Sequence, residues 1–169
     1  MSNLISAPIL IFAYNRADKI NNLISSLTEC EGFYSSKIFV FCDGPKNKQD
    51  KTKVEKTRKI IRDRFNNNNN VTYFEQTNNL GLAKSIYNGI NYVLSLFDRV
   101  IVLEDDLELN KGFLNFMNLA LTKYQNDDEV FQISGHFFEP PILKINKNIF
   151  LPFISTWGWA TWKSKWAGF

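Results

Sequence analysis

The sequence predicts an α/β fold: a mostly parallel sheet with helices on both faces. Short apolar runs alternate with longer segments of helical period along the chain. The runs are apolar throughout and do not alternate with polar residues, so both of their faces must be covered. Three polar clusters, Tyr14-Asn15-Arg16, Asp43-Gly44 and Glu104-Asp105-Asp106, each follow directly on such a run. In a parallel sheet the carboxyl ends of the strands open on one edge, so clusters far apart in sequence converge there.

Taken in order, Pro8 to Ala13 is the first strand. Ile20, Leu23, Ile24 and Leu27 then recur at three and four residues, the spacing of one helix face, in a helix ending near Gly32. Lys37 to Cys42 is a strand stopped by the turn Asp43-Gly44-Pro45, and a helix from about Asp50 to Phe65 carries Val54, Ile61 and Phe65 on one side. The polar tract Asn66 to Asn70 has little to bury and predicts a surface loop before a strand at Val71 to Phe74. Leu80, Ala83, Ile86, Tyr87, Ile90, Val93, Leu94 and Phe97 form the clearest helical stripe in the chain. Arg99 to Leu103 is a buried strand ending in three carboxylates; Phe113, Phe116, Met117, Ala120, Leu121 and Tyr124 mark the next helix, and Val130 to Ile133 the last strand. The order βαβαβαβαβ follows, without a repeat.

The length of 169 residues fits one domain, since domains run to about 100–200 residues. At 44% hydrophobic and 15% aromatic the chain can build a core, which excludes disorder. The net charge is only +3, and the basic stretch Lys46 to Arg64 is diluted by Asp50, Glu55 and Asp63 and lacks interleaved aromatics. It reads as a solvated helix face, not a nucleic-acid patch. Ala7 to Phe12 is far shorter than the ~18 apolar residues of a membrane span and no basic segment precedes it, so neither a transmembrane segment nor a signal is expected. Cys30 and Cys42 form no CxxC pair; reduced thiols point to the cytoplasm, with a peripheral membrane position left open.

Three adjacent carboxylates at the end of a buried strand repel one another and cost stability unless positive charge lies near. An oxygen-only donor set suits Mg2+ or Mn2+, which keep few protein ligands and take diphosphate oxygens and water besides. The alternative is a solvated turn with acidic capping character before the helix near Asn110.

Pro8 to Arg16, Phe41 to Pro45, Asn79 to Lys84 and Val102 to Glu108 resemble, in order, segments of glycosyltransferases with the GT-A fold, nearest to bacterial family 2-type sugar transferases. Glu104 to Glu108 with Phe113 and Phe116 also resembles the N-acetylglucosaminyltransferase I group. The likeness continues through Ser134-Gly-His136 and Thr156 to Trp162. It implies a nucleotide-diphospho-sugar transferase fold, Rossmann-like, acting on a UDP-sugar and a glycan or lipid-linked acceptor in bacterial polysaccharide or lipopolysaccharide assembly. On this resemblance Ala13, Tyr14 and Arg16 would border the base and diphosphate, and Asp43 would accept a hydrogen bond from uracil. Glu104-Asp105-Asp106 would be the DxD-type site, with Asp106 on the metal and Glu104 and Asp105 on ribose or bound water. Lys84, after the Asn79-Leu-Gly81 turn, would approach the phosphates; otherwise it is a surface lysine, as Asp43 is otherwise a turn former.

The implied mechanism is a single displacement with inversion, in which a general base deprotonates the acceptor hydroxyl. Similar proteins place that carboxylate soon after the Trp-Gly-Trp segment, yet no Asp or Glu follows Glu139 here, and Glu139 fits poorly. A truncated chain with its base beyond Phe169 is therefore expected, the alternative being a non-catalytic module or inactive fragment. His136, Trp157 and Trp159 are candidates for an acceptor or donor-sugar wall, while Trp162 and Trp166 read as core, and His136 as equally a structural histidine. An aromatic segment left uncovered would favour self-association. A sugar-phosphate nucleotidyltransferase is disfavoured because no glycine-rich loop follows the first strand, and a dinucleotide oxidoreductase because no GxGxxG does.

Overall fold

Apolar runs become buried strands where the sequence places them. The computed structural model describes residues 6–136 and 148–168. Strands β1 (Ile9–Ala13) and β2 (Ile38–Cys42) are buried at every position, and β4 (Arg99–Glu104) at its four central ones. β3 (Val71–Glu75) lies at an edge and is half-buried. The helices are α1 (Ala17–Thr28), α2 (Lys48–Phe65), α3 (Leu82–Leu96) and α4 (Phe113–Lys123), followed by β5 (Ile133–Ser134), β6 (Trp159–Trp162) and the short α5 (Lys163–Trp166). α2 starts where the Asn47 side chain accepts the Asp50 N–H at 3.0 Å, satisfying a donor the helix cannot.

The six strands are ordered β3-β2-β1-β4-β6-β5. β1 through β4 pair in parallel, whereas β6 runs antiparallel to both β4 and β5. This corrects the uniform alternation expected from sequence. The strand at Val130 to Ile133 shrinks to Ile133–Ser134 on the far edge, and the aromatic segment supplies the strand that pairs with β4.

Alternate strand residues enter two cores, as the pleat requires. Ile9, Ile11, Val40, Ile101 and Leu103 pack with α1, α4 and the Ile61 and Phe65 end of α2. Leu10, Phe12, Phe39, Phe41 and Val102 pack with Ile90, Val93 and Leu94 of α3 on the other face. The predicted α3 stripe was too wide: Ala83 and Tyr87 are exposed, and Gly89 fills their place at the sheet because a Cβ there would lie 2.7 Å from the Phe12 ring. No helix among the described residues is long and apolar enough to cross a membrane, and Cys30 and Cys42 are buried free thiols.

Register fixes the site. Ala13 aligns with Cys42 and Phe12 with Glu104, so the loops after β1, β2 and β4 leave the sheet at one level.

Candidate functional site

A cavity of about 320 Å³ opens at that edge. It is lined by Ala13 at the end of β1, Tyr14 and Arg16 just after it, Asp43 after β2, Gly81 before α3, and Glu104 and Asp105 at the end of β4. Of the residues expected at the nucleotide, the structure thus brings all but one together. Lys84 is exposed on α3 and is not among the residues lining the cavity; Lys46, on the loop after β2, lines it instead.

Asp43 is buried, and its carboxylate is fully engaged by the chain. Oδ1 accepts the N–H groups of Gly44 and Leu80, each at 2.8 Å, and Oδ2 accepts the Asn79 amide at 2.9 Å and the Gly81 N–H at 3.0 Å. A carboxylate has about four acceptor positions. These bonds hold the turn into α3, and Asp43 stands on the cavity wall at that turn.

The acidic end of β4 is met by Arg16. Its guanidinium forks onto Asp105 and, at 3.0 Å, onto Asp106. Asp105 is 2% exposed, and its Oδ2 is buried without a hydrogen-bond partner. Burial pushes the Asp105 carboxyl up from its usual range, against the pull of Arg16. Glu104 is pushed up too, first by burial and then by repulsion from Asp106 and Asp105. The hydrogen bond to Asp105 in turn holds the Arg16 guanidinium more firmly protonated. Among the described residues no group of three His, Cys, Asp or Glu side chains forms a ready metal cage. An all-carboxylate pair with one buried oxygen unspent nevertheless fits a hard cation that takes one or two protein ligands and its remaining oxygens elsewhere.

Glu104 also borders a second cavity, of about 790 Å³, with Asp106, Phe116, His136 and Trp157 on its walls. The rings of His136 and Trp157 stack at 5.1 Å. Gly158, at φ 65°, turns the chain so that Trp157 faces outward, 51% exposed, while Trp159 enters β6. Trp159 is 6% exposed in the α3-side core, pairing with Val102 in the ladder, which corrects its assignment to a sugar wall. Trp162 is core as expected, its indole N–H donating to the Leu121 carbonyl at 3.0 Å. Trp166 is half-buried, donating to Asn91 at 2.9 Å. Glu139 lies outside the described residues.

Residues 9–165 match the family described as glycosyl transferase family 2. The chain belongs to that family. Comparison with curated proteins finds no match. Two solved structures share the fold of this family 2 chain. Mannosyltransferase PcManGT from Pyrobaculum calidifontis, in complex with GDP-Man and Mn2+, superposes with a TM-score of 0.55 at 16% identity, covering 76% of this chain and 34% of that one. S. aureus TarS 1-349 gives 0.51 at 16% identity, covering 70% and 33%. At that identity the likeness is one of fold, the GT-A arrangement, and the chain spans about a third of the length of each.

Sequence reasoning missed several residues in and around the smaller cavity. Asp50 sits in the first turn of α2 yet accepts the Tyr14 hydroxyl at 2.6 Å and the Asn15 amide at 3.3 Å, tying the loop after β1 to that helix. Lys46 Nζ stands 5.8 Å over the Tyr14 ring. Buried Arg58 donates to the carbonyls of Asp43 at 3.2 Å and Gln76 at 2.6 Å, fixing the strand ends from α2. Ser85, one turn into α3, lines the smaller cavity with its hydroxyl buried and without a hydrogen-bond partner. The Lys and Arg excess of Lys46 to Arg64 held the only sequence hint, and it read as a solvated face.

Proposed function

We propose that this chain forms the donor-binding part of a metal-dependent, inverting glycosyltransferase. It would transfer a hexose or N-acetylhexosamine from a UDP-sugar to a glycan or lipid-linked acceptor. One observation carries the reading: a buried, acidic strand end stands at the junction of two cavities, with Glu104 on the wall of both. A nucleoside diphosphate suits the smaller cavity, where Arg16 and Lys46 supply cationic groups and Phe12, Tyr14 and Phe41 supply aromatic surface. The sugar and acceptor suit the larger, where the exposed Trp157 ring can meet the apolar side of a pyranose. Family membership and the fold shared with a mannosyltransferase that holds GDP-Man and Mn2+ support the same reading.

When bound, Mn2+ or Mg2+ would offset the charge that develops on the leaving diphosphate. Asp106, exposed at the junction, is the proposed direct ligand, with Asp105 and Glu104 orienting ribose or water. Arg16 and Lys46 would neutralise the diphosphate, and the His136–Trp157 stack would orient the sugar for attack. Asp43 is the proposed acceptor for the base, with Tyr14, Lys46 and Asn79 beside it on the cavity wall. The exposed Phe150, Phe153, Ile154 and Trp157 are the proposed self-association surface.

Calorimetric titration with UDP and with GDP, each with and without Mn2+, tests the proposal. Metal-dependent UDP binding lost in Asp106→Ala is expected; binding that ignores both metal and Asp106 sinks it. A second reading, a module that binds donor without turnover, is motivated by the absence of Asp or Glu after Glu139. Donor hydrolysis or transfer above background removes that one.

A further inference from the structure

We propose that Arg16 is a built-in counter-cation: without donor, its guanidinium holds Asp105 and Asp106 and competes with a divalent cation that Asp106 would bind directly and Asp105 through water. The inference rests on the donor-site reading and extends it to the order in which the site fills.

Three observations carry it. The pair is asymmetric, since the Asp105 side chain is 3% exposed while that of Arg16 is 48% exposed, so the arginine can leave without any repacking of the core. Arg16 stands at the N-terminus of α1, where its donor-only side chain cannot cap the helix and points instead to the carboxylates after β4. Among the described residues its ion-pair partners are Asp105 and Asp106 alone. Finally, Asp105 keeps Oδ2 buried and without a hydrogen-bond partner beside the cavity that Arg16 also lines. A buried carboxylate demands positive charge nearby, and here the guanidinium supplies it. A divalent ion on Asp106 beside Asp105 would sit against that guanidinium, and two cations that close repel. The arginine must therefore turn away as the ion enters. The smaller cavity offers it a destination, where a diphosphate would receive a bidentate guanidinium. Nucleotide draws Arg16 off the carboxylates and frees them for the ion; by linkage the ion favours nucleotide equally.

The test uses Mn2+ alone, its free concentration read by electron paramagnetic resonance, with the parent chain, Arg16→Gln and Arg16→Lys, each with and without UDP. Arg16→Gln should bind Mn2+ about tenfold tighter than the parent without nucleotide, within the usual range of coupling between sites. Its dependence on UDP should shrink, and its melting temperature should fall without metal and recover with Mn2+. Arg16→Lys keeps a charge but loses the fork and should fall between; it carries the test if the glutamine variant does not fold. Mn2+ affinity unchanged or weakened in a folded variant overturns the proposal, as does absence of Mn2+ binding in every form. If Arg16→Gln tightens Mn2+ while UDP binds no form, the donor reading fails and the counter-cation stands. If UDP binds the parent only with Mn2+ and the variants leave Mn2+ affinity unchanged, the reverse holds.

Discussion

The carboxylate of Asp43, at the end of β2, accepts the backbone N–H of Gly81, just before α3, at 3.0 Å. With the Leu80 and Gly44 N–H groups on the same side chain, Asp43 does for the turn what a capping residue does for a helix. Asp43→Ala would orphan three backbone donors in a buried setting, at about 1–3 kcal/mol for each one that water does not reach. A loss of about 3 kcal/mol is expected, read as a lower urea midpoint at unchanged slope. A loss under about 0.5 kcal/mol, the size of an ordinary surface change, would show that the turn does not depend on this carboxylate.

The two glycines of that turn should differ in cost and in cause. Gly81 has open space around it but sits at φ 80°, ψ 157°, a region closed to side-chain-bearing residues. Gly81→Ala should cost about 1–3 kcal/mol through backbone strain alone. Gly44 needs no unusual φ, but a Cβ there would lie 2.6 Å from the Asn78 carbonyl oxygen, so the strand end and the loop before α3 would be forced apart. Gly44→Ala should therefore destabilise more than Gly81→Ala in parallel urea titrations; the opposite order would refute the packing account.

The convergence of three polar clusters was legible because it needs only the direction of parallel strands, and Ala13, Asp43 and Glu104 do share one edge. What those residues do there was less legible. At Asp43 the sequence shows that a carboxylate is present, not that four donors from Gly44 and residues 79–81 meet it and make it the hub of the turn. β6 was hidden because Trp159-Ala-Thr-Trp162 has neither a continuous aliphatic run nor a helix before it, and its antiparallel pairing with β4 has no local sign. Trp157 and Trp159 looked equivalent until the positive φ of Gly158 sent one outward and the other into the core.

Tyr14 and Asp50 give the loop after β1 a pH dependence. Burial and the hydrogen bond to Asp50 raise the Tyr14 phenol above its ordinary 10.0, and the same hydrogen bond lowers the Asp50 carboxyl below its ordinary range. A raised phenol contributes stability that is full below the unfolded value and is lost as pH climbs through the folded one. The lowered carboxylate contributes stability above its unfolded value, lost as pH falls through the folded one. Phenolate absorbance should show two tyrosines titrating late, Tyr14 and Tyr73, the latter raised by burial; the Tyr14 step alone should vanish in Tyr14→Phe and move toward 10.0 in Asp50→Asn. If Asp50→Asn leaves the step in place, the contact is not what tunes the phenol.

Trp157 and Trp159 separate a ligand-facing role from a packing role within three residues. Trp159 is enclosed by the α3-side core, so Trp159→Ala opens a void and should cost about 3–5 kcal/mol. Trp157, half-exposed over the larger cavity, should change stability by about 0.5 kcal/mol or less when replaced by alanine. If its ring meets the donor sugar, Trp157→Ala should remove affinity that UDP-N-acetylglucosamine has beyond UDP, about 1 kcal/mol for a stacked ring, roughly fivefold in affinity. Calorimetry on the folded variant reads that difference directly. An unchanged gap between the two ligands would show that the Trp157 ring does not meet the donor sugar, and would leave it to the His136 stack and the proposed self-association surface.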